Sequence, residues 1–91
     1  MKMKNNHIKL GGDLRGQAQR LNTRRIIDEH SGPEIRHLCI DISEVTAVDY
    51  DALIEFLTVR NRFAQDGIKL ELTGIPLRIK KVIEMFRIPW S

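Results

Sequence analysis

Apolar residues recur along this chain in two rhythms. Leu38, Ile40 and Ile42 alternate with Cys39 and Asp41, Ile8 and Leu10 with His7 and Lys9, and Ile68, Leu70 and Leu72 with Lys69, Glu71 and Thr73. A period of two is that of a strand with one face in a core, so three strands are predicted, near 7–10, 36–42 and 68–73. Cys39 also has apolar character, which predicts cover on both faces at the start of the middle strand. Between the strands the spacing stretches to three and four. Leu14, Ala18, Leu21 and Ile26 or Ile27 predict a helix over 14–30. Leu53, Ile54, Leu57, Phe63 and Ala64 predict one over 50–65, and Leu77, Val82, Ile83 and Phe86 a last amphipathic helix. The order is strand, helix, strand, helix, strand, helix. Right-handed crossovers then make the central strands parallel, with helices packed on the sheet.

The punctuation agrees. Gly11-Gly12 allows a bulge or turn that Asp13 helps to close, and Gly16 is a weak point near the first helix start. Ser31-Gly32-Pro33 ends that helix, Gly by a left-handed C-terminal conformation and Pro by refusing the next turn. Asp49 follows the strand and hinge of 38–48 and suits an N-cap, because its carboxylate accepts bonds from first-turn amides. Asp51 favours the positive end of the helix dipole. Asp66-Gly67 stops the middle helix, Gly74 turns the chain, and Pro76 suits a helix start. Residues 1–6 are expected to be a flexible tail.

Composition narrows the class. The 91 residues make one domain, 1–91, of ordinary globular balance with 42% hydrophobic and 30% charged residues. No apolar run approaches the ~20 residues of a membrane span, and the basic start is not followed by the apolar segment of a secretory signal, so a cytoplasmic location is expected. The single Cys39 supports neither an internal disulfide nor a metal cluster and reads as core. The net charge of +3 is mild. Arg20, Arg24 and Arg25 on the first helix, and Arg78, Lys80 and Lys81 on the last, could form a nucleic-acid surface. The blander reading is solvated helix faces, and the five aromatics, Tyr50, Phe56, Phe63, Phe86 and Trp90, make no stacking platform.

No catalytic set stands out. There is no GxSxG elbow, no GxxxxGK[ST] loop and no HExxH. His7, His30 and His37 share no ligand spacing, so no metal and no cofactor are expected. Asp49 and Asp51, two apart at a helix start, read as cap and dipole partner rather than as an acid/base pair. An enzyme is not expected.

The run Ile40-Asp41-Ile42-Ser43-Glu44-Val45-Thr46-Ala47-Val48-Asp49 resembles the central strand and loop of STAS domains, the family of anti-sigma factor antagonists. Leu53 and the helix to Asp66-Gly67 continue the likeness, as do Ile68–Gly74 and the helix with Val82, Ile83 and Phe86. It covers roughly residues 8–88, and 38–74 carry most of it. The resemblance implies an α/β fold: a small mixed sheet with helices packed mainly on one face. Family members usually open with a strand hairpin, for which this chain offers little beyond His7–Leu10.

The resemblance also implies a function. Such antagonists bind a kinase-type anti-sigma factor through this loop and helix start, and phosphorylation of a serine or threonine just after the Asp breaks the contact by adding charge and bulk. Here Asp49 and Leu53 are kept, Tyr50 stands at the acceptor position, Asp51 follows it, and Ala52 replaces the usual glycine. No Ser/Thr phospho-switch is therefore expected. The chain is expected to be a non-catalytic protein–protein interaction module in bacterial signal transduction and transcription regulation. Its docking surface would comprise Asp49, Tyr50, Asp51, Ala52, Leu53, Glu55, Thr58 and Arg62. The alternatives are a small cytoplasmic subunit of a membrane transporter, nucleic-acid binding through the basic helix faces, and a relative that only forms a homodimer.

Overall fold

The structure is a computed structural model and describes residues 4–90. Its elements are β1 (Lys4–Asp13), α1 (Gln17–Glu29), β2 (Ile35–Ala47), α2 (Tyr50–Gln65), β3 (Lys69–Thr73) and α3 (Leu77–Met85). The sheet runs β1-β2-β3, and both pairings are parallel. That follows from the alternation of strand and helix, since each crossover returns the chain in the direction it left. The opening hairpin and mixed sheet that the resemblance implied have no counterpart among the described residues, whose three strands are all parallel.

Register places the alternating residues together. Ile8 stands beside Ile40, Asn6 beside Leu38, Leu38 beside Leu70 and Ile40 beside Leu72. Those apolar side chains share one face and one core with Ile27 of α1, Leu53, Phe56, Val59 and Phe63 of α2, and Ile79 and Ile83 of α3. All three helices thus lie on the same face. The expected second cover at the start of β2 is not there: Cys39 is buried but stands outside that core. The reverse face carries His7 and Lys9, then His37, Cys39 and Asp41, then Lys69, Glu71 and Thr73. Among the described residues no element is packed on it, which suits its polar side chains.

Several boundaries differ from expectation. Lys4–Asn6 belong to β1 rather than to a tail, while residues 1–3 of that tail lie outside the described residues. Register shifts between Lys9 and Gly11 and between Gly12 and Asp13 confirm the bulge, but β1 continues through it. β2 also runs on to Ala47, so the polar stretch from Ser43 is strand rather than hinge. Helix α1 starts at Gln17, because Gly16 at φ 92° breaks it from Leu14. Leu14 is buried ahead of the helix, with its amide bonded to the Ala47 carbonyl at 2.9 Å. Gly32 is not among the left-handed residues, and α1 ends at His30 instead. The inward stripes of α1 and α3 are met only in part, at Ile27 and Ile83. Thr23 and Ile27, and Ile79 and Ile83, are buried, whereas Ala18, Leu21, Leu77 and Phe86 are exposed.

Candidate functional site: the β2–α2 junction

The junction is built on Asp49. One of its carboxylate oxygens, Oδ1, accepts from the Ala52 amide at 2.8 Å, the N-cap bond of α2. The other, Oδ2, accepts from the Gly16 amide at 3.1 Å, at the start of α1. Burial pushes the Asp49 carboxyl up, but the Gly16 and Ala52 amides, with Arg20 nearby, pull it below its ordinary value. The side chain is only half-exposed, and both oxygens are engaged inside the molecule. Asp49 thereby holds the starts of α1 and α2 together.

Tyr50 and Asp51 project from the first turn of α2. Tyr50 is 46% exposed and meets Phe86, also 46% exposed, edge to face at 5.2 Å between ring centroids. Asp51 pairs with Arg20 of α1 at 3.1 Å. Asp51, Glu55 and Thr58 then line one wall of a shallow cleft between α2 and α1. Arg20, Leu21 and Arg24 face them, Ile54 lies between, and the cleft holds about 320 Å³.

Three of the expected docking residues lie elsewhere. Ala52 and Leu53 are buried, since a helix that offers residues 50 and 51 to solvent turns 52 and 53 inward. Arg62 stands twelve residues along α2 from Tyr50, roughly 18 Å at a helical rise. There it binds Asp28 of α1 at 3.1 Å and ties the far ends of the two helices together. Phe86, just after α3, and Leu21 of α1, both of which the apolar spacing predicts to face inward, stand exposed near this junction.

The result is a compact α/β domain with a bare helix-start surface of one aromatic pair, one ion pair and an adjoining cleft, the build of an interaction module. The chain belongs to the STAS domain family: the family model, described as STAS domain, matches residues 4–89. Regulation and interaction, rather than a single chemistry, characterise that family. No curated protein matches the chain significantly. Among the described residues, no helix is long and apolar enough to cross a membrane.

Proposed function

We propose that this STAS domain is a non-catalytic docking module of the anti-sigma factor antagonist type, which binds a kinase-type anti-sigma partner through Tyr50, Asp51 and Phe86. The observation that carries this reading is the exposed Tyr50–Phe86 pair beside Asp51 at the start of α2. An aromatic pair held rigid by edge-to-face contact loses little freedom on docking, and a tyrosine adds a polar tip to an apolar body. Asp51, paired with Arg20, adds a polar contact at the rim. With Tyr50 in the acceptor position, the contact is not governed by a Ser/Thr kinase.

The basic helix faces give less support to a nucleic-acid partner. Arg20 is paired with Asp51, Arg25 with Glu29 (3.9 Å) and Arg62 with Asp28. These pairs spend part of the positive surface inside the molecule, whereas nucleic-acid binding needs it free for phosphates.

The test is a pull-down from the native cell with captured proteins identified by mass spectrometry, using the native chain and the Tyr50→Lys/Asp51→Lys double variant. The native chain is expected to capture a kinase-type anti-sigma factor. The double variant, with an unchanged circular dichroism spectrum, is expected to lose that capture by at least about tenfold, as for removal of a central aromatic anchor. Undiminished capture by the variant excludes this surface. Capture of transporter subunits instead selects the alternative membrane-complex role.

A further inference from the structure

The bare face of the sheet carries a cluster that the docking surface does not use. His37 and Cys39 are two apart on β2 and so point to the same side. Glu71 of β3 is the register partner of Cys39. Their donor atoms converge: His37 Nε2 to Glu71 Oε1 is 3.2 Å, Cys39 Sγ to His37 Nε2 is 3.5 Å, and Cys39 Sγ to Glu71 Oε1 is 3.6 Å. We infer that His37, Cys39 and Glu71 form a three-ligand site for a divalent transition-metal ion of the zinc class, with a fourth position open to solvent.

Three arguments support the site. The first is size. A tetrahedral ion with bonds of about 2.0–2.3 Å to nitrogen, oxygen and sulfur requires ligand atoms roughly 3.3–3.7 Å apart. The three spacings already lie at or close to those edges, so binding needs little rearrangement. The second is charge. A thiolate, a carboxylate and a neutral imidazole sum to two negative charges, which balance a divalent cation. Among the described residues, Lys69 and His7, on the flanking strands, and Lys9, its ion-pair partner Glu44 and Asp41, further along the face, are the other charged or titratable groups there. The third is donor chemistry. Nitrogen and sulfur donors favour zinc-class ions over magnesium or calcium, which prefer oxygen alone. On binding, the Cys39 thiol proton passes to solvent and the sulfur becomes a metal-bound thiolate. The sequence expectation of no metal rested on spacing along the chain. These ligands meet only through the β2–β3 register.

The site lies on the opposite face of the sheet from the helices that carry Tyr50 and Phe86, so its fate is separable from that of the docking surface. The experiment is titration of the metal-free full chain with Co2+, followed by absorption spectroscopy and displacement with Zn2+. The expected result is a 1:1 complex with a thiolate-to-cobalt band in the near ultraviolet and intense visible bands of tetrahedral type. Zn2+ should abolish both, and excess Mg2+ should leave them unchanged. Cys39→Ser should lose the thiolate band. His37→Gln and Glu71→Gln should each weaken cobalt binding by at least about 100-fold, more than the 10–100-fold typical of an outer-shell change. Absence of the thiolate band from the native chain overturns the site. So does a band that persists at undiminished affinity in both His37→Gln and Glu71→Gln, which would mark a solitary thiol adduct. The native-chain spectrum keeps the test decisive even where a variant fails to fold.

Discussion

Where β2 gives way to α2, one carboxylate holds the starts of two helices. Asp49→Ala removes the acceptor of the Ala52 and Gly16 amides together, and an unfolding midpoint in urea should show a loss of about 2 kcal/mol, the upper part of the N-cap range. Asp49→Asn keeps one carbonyl acceptor and should cost about half as much. The pH dependence has a definite sign. The folded carboxyl titrates below its ordinary value of 3.8, so its contribution is complete above that value and is lost as the pH falls through the lower, folded one. The stability gap between the native chain and Asp49→Asn should therefore be constant near neutrality and close only below about pH 4. A gap that closes between pH 5 and 7 would mean that another group is responsible. Asp51, by contrast, should be nearly silent in stability, because it makes only an exposed ion pair.

Among the elements, the turn from β3 into α3 leaves no room for a side chain at Gly74. Gly74 has φ 64°, and a Cβ placed there would lie 2.7 Å from Asp41 Oδ1 and 2.9 Å from Ser43 Cβ. Gly74→Ala should destabilise the chain by about 2–4 kcal/mol, combining left-handed strain with overpacking against β2, and thermal unfolding would measure it. Gly67 also has a positive φ but faces open space, so Gly67→Ala should cost only the strain, about 1 kcal/mol. This contrast also shows what the sequence discloses. Gly74 and Gly67 both read as turns, because glycine is the residue that a positive φ selects, but close approach to another strand leaves no local mark. Helix α2 was legible from its cap to its Asp66-Gly67 stop, since its periodicity is dense and its signals agree. Helices α1 and α3 were found, and Ile27 and Ile83 of their predicted stripes are buried, but other stripe positions face outward. Leu21 stands two residues from the buried Thr23 and Leu77 two from the buried Ile79, about 200° around a helix. The leucines fitted the apolar spacing, and only packing against the sheet decides which side turns in. The His37–Cys39–Glu71 cluster was illegible for a related reason: it exists only once two strands are in register.

On the scale of the whole molecule, the domain has two layers, with every helix on one side of a parallel sheet. The described sheet contains no hairpin. Its pairs join residues far apart in the chain, Ile8 to Ile40 and Leu38 to Leu70 for example, each across an intervening helix. Local pairing therefore cannot nucleate it, and a long loop must close before any ladder bond forms. In stopped-flow refolding, the chain should be slower than a helical bundle of equal length, in the millisecond range or beyond. Ile40→Val in the central strand should reduce the folding rate, and an unchanged rate would place the nucleus among the helices. The same topology sets a delay on the ribosome. At about 5–20 residues per second, β1 spends roughly 2–6 s outside the exit tunnel before its neighbour follows. Throughout that interval Ile8 and Leu10 lack their β2 neighbours, and a chaperone able to shield a short apolar strand would find its target there.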